Sequence, residues 1–234
     1  MNESSSNDRD RHTSNRTTSR SRRRVLQLTG TVGVALASGC LDMFPSGSVE
    51  AEATPVTVSD EALSKTGYSL VDTEGFGLTS GFDLPDGFEG VSVHSQISKY
   101  RRNGTGASLP ALYFGLSVPI AKVSGRTIDP LREMNEREII ETEGGVIDTA
   151  FSNNYGTVTV SGKNGTKSIN LLGTTTDLVT FDGTAKKDGT STDLRFFVAK
   201  TVDDGDQIAV VGAQPSNAAD EDAFRRLTRA LQHG

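Results

Sequence analysis

The 234-residue chain has one cysteine, Cys40, and no tryptophan. A lone thiol excludes an intramolecular disulfide, so the stability of an exported form must come from its core. Histidine is nearly as scarce: His12, His94 and His233 are all there is. A His/Cys metal centre therefore lacks ligands. A serine–histidine pair would have to use His94, which sits on the polar side of an alternating stretch with no nucleophile signature beside it. Long apolar runs are missing too. The longest weakly polar run, Val25 to Gly39, would rise roughly 22 Å as a helix, short of the ~30 Å hydrocarbon core. Gln27, Thr29, Thr31 and two glycines dilute it further, and a stable transmembrane span is excluded.

Basic charge is scarce outside the start of the chain. Seven of the 24 basic residues and three of the 30 acidic ones lie in residues 1–39, a local net charge of +4 that leaves −10 on the rest. An acidic body has no excess of cations to displace phosphate counterions, which argues against nucleic acid as a partner. It reads as a well-solvated surface suited to high salt. Hydrophobic residues at 34% are few, but the spread of Val, Leu, Ile and Phe still predicts a folded core.

What is present at the start is an address. Gly30 and Gly33 count against a buried helix over residues 25–39, at ~1 kcal/mol each relative to Ala. A charged segment, a short apolar run and small residues before a cleavage point are the pattern of a signal peptide. Ser21-Arg22-Arg23-Arg24-Val25-Leu26-Gln27 resembles the twin-arginine export signal, with Arg22 and Arg23 as the pair. Ala37-Ser38-Gly39-Cys40 resembles a lipobox, in which the cysteine thiol is lipidated and becomes the first residue of the mature chain. These motifs predict a twin-arginine lipoprotein signal peptide over 1–39, with a disordered leader over 1–20, and a flexible tether over 40–55. A single domain then spans 56–234. Cys40 is expected to join membrane lipid, with the twin-arginine machinery as a transient partner and the domain on the extracellular side of the cell membrane.

Within the domain, Ser59-Asp60-Glu61-Ala62-Leu63 predicts a short capped helix ending at Gly67. Val91, Val93 and Ile97 alternate with polar residues, the period of a half-buried strand, and "ALYFGLSV" reads as a strand apolar on both faces. Asp129-Pro130, and Asn135 with Glu138 as a capping box, mark a helical zone. Asn164-Gly165 between two apolar runs predicts a hairpin turn with positive φ. Lys187-Asp188-Gly189 and Asp204-Gly205 separate further strands of a meander. Phe224, Leu227 and Leu231 form one face of a closing helix whose acidic start and basic end match the helix dipole. The expected fold class is α+β: an antiparallel strand meander with helices packed on its faces.

"SDEALSKTGY", "VSGRTIDPLREMNEREI" and "LLGTTTDLVTF", in that order behind the leader, resemble a family of haloarchaeal lipoproteins, over roughly residues 21–232. That resemblance implies export, lipid anchoring and life in high salt, and brings no catalytic residue. The element order is also similar to the αβα sandwich of PsbP-type photosystem proteins and of the Mog-one nuclear transport factor, an analogy of fold alone.

The search for reactive groups predicts no catalytic, metal or cofactor site. "GLTSG" has Thr79 where a nucleophile elbow needs serine, and "GKNGTKS" lacks the order of a phosphate loop. Glu133, Glu136, Glu138, Glu141 and Glu143, and the turn with Asp203, Asp204 and Asp206, read as solvated faces without calcium-loop spacing. "KYRR" at 99–102 reads as protection of a strand end rather than an anion site. His233 reads as part of a frayed terminus. Asn103-Gly104-Thr105 and Asn164-Gly165-Thr166 match the glycosylation sequon and are equally good turns. The expected function is that of a surface-anchored, non-catalytic binding or accessory module. The alternative is an exported hydrolase, for example glycan-acting, that uses paired carboxylates.

Overall fold

A computed structural model of the chain describes residues 47–78, 88–104, 109–123, 125–132, 134–141 and 146–234. Elements follow in the order β1 (Gly47–Glu52), β2 (Val56–Val58), α1 (Asp60–Thr66), β3 (Ser69–Leu78), β4 (Phe88–Arg102) and β5 (Ala111–Pro119). Two short strands, β6 (Ala121–Val123) and β7 (Arg126–Ile128), precede α2 (Glu136–Glu141) and α3 (Val146–Tyr155). Then come β8 (Thr157–Leu171), β9 (Thr174–Lys187), β10 (Thr190–Asp203), β11 (Asp206–Pro215), α4 (Glu221–Arg229) and β12 (Leu231–His233).

Among the described residues the fold is β-rich, a multi-stranded mixed sheet with four helices and no closed barrel. Strands β4, β5, β11, β10, β9 and β8 lie side by side in that order. Along β4, β3 pairs with Val93–Arg101, β5 with Gln96–Arg102 and β1 with Phe88–His94. Strands β1 and β5 therefore lie end to end on one edge of β4, with β3 on the other. All these pairings are antiparallel except β1 with β4, which is parallel. The wholly antiparallel sheet expected from the meander is corrected on that point. The parallel strand comes from residues 47–52, inside the stretch read as a tether.

Central strands are buried on both faces, as "ALYFGLSV" suggested. Leu112, Phe114, Leu116 and Val118 of β5 join Ala209, Val211 and Ala213 of β11 in one core. Ile139, Ile140, Ile147, Phe151 and Tyr155 of α2 and α3 complete that core. Alternate residues, Tyr113 of β5 and Ile208 and Val210 of β11, face a second core made with Val56, Val58, Ala62, Phe224, Leu227 and Leu231. The period-2 pattern thus feeds two cores from one sheet.

Local signals place several element ends. Gly67 takes φ 72° and its amide bonds Leu63 O, closing α1 at the expected glycine. The Asn135–Glu138 capping box forms: Asn135 N donates to Glu138 Oε2 at 2.8 Å and Glu138 N to Asn135 Oδ1 at 3.0 Å. Asp129-Pro130, expected to start a helix, instead lies in a turn. Leu231, expected on the last helix, belongs to β12, which pairs with β2.

The Asn164-Gly165 hairpin is also corrected. Both residues lie inside β8, where the pairing with β9 shifts register between Val160 and Lys163 and again between Lys163 and Gly165. Such irregularities absorb the turn-prone pair within a bent edge strand. The turn falls instead at Leu172-Gly173, with φ 51° and 80°. Asn170 Oδ1 accepts from Gly173 N at 3.2 Å and holds it. Asp188-Gly189 and Asp204-Gly205 repeat the pattern of two successive positive φ values, as two-residue hairpin turns require.

Candidate functional site

The predicted site residues meet the structure unevenly. Arg22, Arg23, Cys40, Thr79, Glu133 and Glu143 lie outside the described residues. Asn103 is exposed just past β4. Asn164 is exposed on β8, and its Nδ2 donates to Asp182 Oδ2 at 2.6 Å. The glutamates of α2 serve different structural roles. Glu138 closes the capping box, Glu141 pairs with Arg137 Nε at 2.7 Å, and Glu136 stands 3.9 Å from Lys200 Nζ.

The basic "KYRR" stretch is also divided. Lys99 pairs with Glu74 across the β3–β4 ladder. Tyr100 is buried, and its hydroxyl accepts from Val58 N at 2.9 Å. Arg102 lies over the Tyr68 ring, 5.1 Å from its centroid, and pairs with Asp220 at 3.0 Å. Asp220 caps α4 by accepting from Ala223 N at 2.8 Å. That amide, opposed by burial and helped by the Arg102 and Arg226 guanidinium groups, holds its carboxyl below the usual range. Burial pushes the Tyr68 hydroxyl up to about 12, so it stays a neutral hydrogen-bond partner of Gln214 Nε2 at 3.2 Å.

Two polar assemblies remain. The first is a trough of about 450 Å³ at the β1–β4–β3 end of the sheet. Gly75 and Gly77 of β3, His94 and Gln96 of β4, and Glu50 and Glu52 of β1 line it. Glu50 and Glu52 are two residues apart and share a strand face, roughly 7 Å from one another along the chain. In the register, Glu52 stands beside His94, and His94 opposite Gly77. His94, read from its alternation as a solvent-facing strand residue, is exposed there.

The second assembly corrects the reading of His233 as a frayed end. Its side chain is 2% exposed. Nδ1 lies 2.9 Å from Asp203 Oδ2 and Nε2 lies 3.1 Å from Asp206 Oδ2. Asp206 Oδ2 also accepts from Ser117 Oγ at 2.8 Å and from Thr54 N at 3.1 Å. Serine, histidine and aspartate therefore meet, but in the wrong order for nucleophilic catalysis. Ser117 donates to a carboxylate, and the imidazole reaches two carboxylates rather than the hydroxyl. Among the described residues no three His, Cys, Asp or Glu side chains are arranged to hold a metal ion. No helix among them is long and apolar enough to cross a membrane.

Comparison with known families matches residues 55–232 to DUF6517, a domain of unknown function. The chain belongs to the DUF6517 family. The matched span starts between β1 and β2 and ends within β12, so it takes in Asp203 and Asp206 and leaves out β1 and His233. No curated protein matches the chain. Among solved structures, a crystal structure of a protein of unknown function from Pseudomonas aeruginosa is similar over 61% of this chain and 85% of its own, at 9% identity and a TM-score of 0.28. A likeness of that size carries no argument about activity.

Proposed function

We propose that the chain is an exported, lipid-anchored protein that displays its DUF6517 domain outside the cell as a non-catalytic binding or accessory module. One observation carries the reading. Arg22-Arg23, the weakly apolar run and Cys40 stand in the order that export and acylation require, and the family domain begins at residue 55, a short way past Cys40. Cleavage before Cys40 and two acyl chains on the mature residue would hold the domain at the membrane, at ~0.8 kcal/mol per buried CH₂. The net charge of −10 beyond residue 39 supports a haloarchaeal setting. Helices in both cores support a sandwich of αβα type, which adds nothing about activity.

Intact mass of protein extracted from membranes of a host with twin-arginine export and lipoprotein processing tests this reading. The wild-type chain should lack residues 1–39 and carry an acyl adduct at Cys40. Cys40→Ser should lose the adduct and leave the fold unchanged. A free Cys40 thiol with residues 1–39 still attached refutes the proposal.

The alternative, a carboxylate-dependent hydrolase, is favoured by one feature, the Glu50–Glu52 pair in the trough. Turnover on a glycan panel that Glu50→Gln and Glu52→Gln each abolish would establish it. Turnover absent, or indifferent to both changes, removes it.

A further inference from the structure

Strand β8 closes one side of the sheet, and among the described residues it pairs with β9 alone. Its outer edge is a row of backbone donors and acceptors open to another chain, a hazard that folded proteins cover or break up. Both ends of this edge are covered. Arg137 of α2 donates through Nη2 to Val160 O at 2.9 Å and through Nη1 to Ser161 O at 3.3 Å. Arg225 of α4 donates through Nη1 to Ser168 O at 3.0 Å. Among the described residues no helix side chain donates to the backbone of 162–167 between them. Thr180 Oγ1, on Gly165 O at 3.4 Å, comes from β9 itself.

That uncovered middle holds the sequon Asn164-Gly165-Thr166, and Asn164 is the midpoint of the 15-residue strand. It has no partner in the β9 register, which passes from Lys163–Phe181 to Gly165–Thr180. A residue left out of the ladder can be drawn toward an enzyme without breaking strand pairing. Asn164 and Thr166 are both exposed. The amide is also held in place. Nδ2 carries two hydrogens. One is donated to Asp182 Oδ2 at 2.6 Å, while Arg195 Nε fixes the other oxygen of Asp182 at 2.7 Å. The second hydrogen has no acceptor among the described residues, so it can be replaced while the bond to Asp182 stays. Asn103 is exposed as well, but the threonine of its sequon, Thr105, lies outside the described residues.

We propose that Asn164 is an N-glycan attachment site and that its oligosaccharide covers the open middle of the β8 edge. The inference rests on the export reading, because the sequon is an acceptor in a secreted protein. In the transfer, Nδ2 attacks the anomeric carbon of a lipid-phosphate-linked oligosaccharide. The N–C bond forms as the C–O bond to phosphate breaks, the Nδ2 proton passes to a base of the transferase, and the lipid phosphate leaves. A bulky, hydrated glycan at this point bars a second strand from the edge.

Mass mapping of the full chain, produced in a host with twin-arginine export and N-glycosylation, tests the site. Most of the peptide that holds Asn164 should carry a hexose-containing adduct on that residue, and Thr166→Val should abolish it without changing the melt. An unmodified Asn164 on a chain that has lost residues 1–39 overturns the proposal and leaves the export reading intact. If residues 1–39 are retained, the export reading fails, and the site is decided on the purified full chain mixed with membranes that supply the transferase and its lipid-linked oligosaccharide. Modification of Asn164 there supports the proposal, and an unmodified Asn164 overturns it. Asn164→Gln loses the glycan and should self-associate at a roughly tenfold lower protein concentration than the glycosylated chain. Equal association of the two forms removes the edge-covering role.

Discussion

Gly212→Ala should destabilise the protein although it adds a single methyl group. Gly212 lies in β11, opposite Phe197 of β10 and beneath α4. A Cβ there would stand 2.6 Å from Phe224 Cδ2, 2.7 Å from Phe224 Cε2 and 3.4 Å from Phe197 Cδ2. Ordinary carbon contacts lie at ≈ 3.5–4.0 Å, so the Phe224 ring would have to retreat by close to 1 Å. It has little room to do so. Phe224 stacks on Phe197 with centroids 5.0 Å apart and tilts against Tyr113 at 5.3 Å. Its own side chain is 1% exposed. Overpacking of a closed site costs about 1–3 kcal/mol. For a domain of this size that corresponds to a fall in Tm of roughly 2–12 °C. Thermal and urea melts of Gly212→Ala, Phe224→Leu and the double variant measure it. Phe224→Leu makes room, so the double variant should be less destabilised than the sum by more than ~0.5 kcal/mol, beyond the error of additivity. A stable Gly212→Ala protein, or a strictly additive double variant, would refute this account of how α4 seats on the sheet.

Leu227→Ala should cost ~2–5 kcal/mol in urea melts, because Leu227 is fully buried (0% exposed) on the inner face of α4. Gly173→Val should destabilise the β8–β9 turn, where φ is 80°, whereas Gly165→Val, inside β8 with Thr180 Oγ1 at 3.6 Å from a new Cβ, should leave the melt nearly unchanged. The opposite ranking would return the turn to Asn164-Gly165. Asp220→Ala should cost about 1 kcal/mol at pH 7 by removing the cap of α4. Because the Ala223 amide and Arg102 hold the Asp220 carboxyl below its usual range, its contribution is present at neutral pH and fades as the pH falls below about 4. The gap between variant and wild type should therefore narrow in acid, and a gap that widens there would contradict the assignment.

Much of the fold was legible where one residue type decides one local geometry. Gly67 ends α1, the Asn135–Glu138 box starts α2, and Asp188-Gly189 and Asp204-Gly205 turn the meander. The uniform apolarity of 111–119 announced a strand covered on both sides, and it proved to be one. The misreadings share a cause. Asn164-Gly165 has the composition of a turn, but pairing with β9 continues past it through two register shifts. Leu172-Gly173, with a less obvious composition, takes the turn with help from Asn170. Leu172 also packs against the second core, so tertiary contact offsets the unfavourable φ of a leucine. Strand β1 and helix α3 carry signals of their own in the sequence. Glu50 and Glu52 alternate with Val49 and Ala51. Ile147, Ala150, Phe151 and Tyr155 repeat at helical spacing and are all buried in the first core.

The polar assembly around Asp206 was illegible for a different reason. Its members come from Thr54, Ser117, Asp203, Asp206 and His233, and the bonded pair Thr54 and Asp206 is 152 residues apart in the chain. Each has an ordinary local explanation: a linker threonine, a serine on an apolar strand, two carboxylates in a turn and a histidine beside the last residue. What brings them together is register. Asp206 stands opposite Pro119 in the β11–β5 ladder, next to Gln207 opposite Val118 and Ile208 opposite Ser117. His233 stands opposite Val56 in the β12–β2 ladder. Slipping either pairing by one residue would turn the side chain to the other face and break the cluster. The buried strands set that register through the alternation of their apolar side chains. The same periodicity that made the fold readable therefore places the buried histidine, but only once the long-range pairings are known.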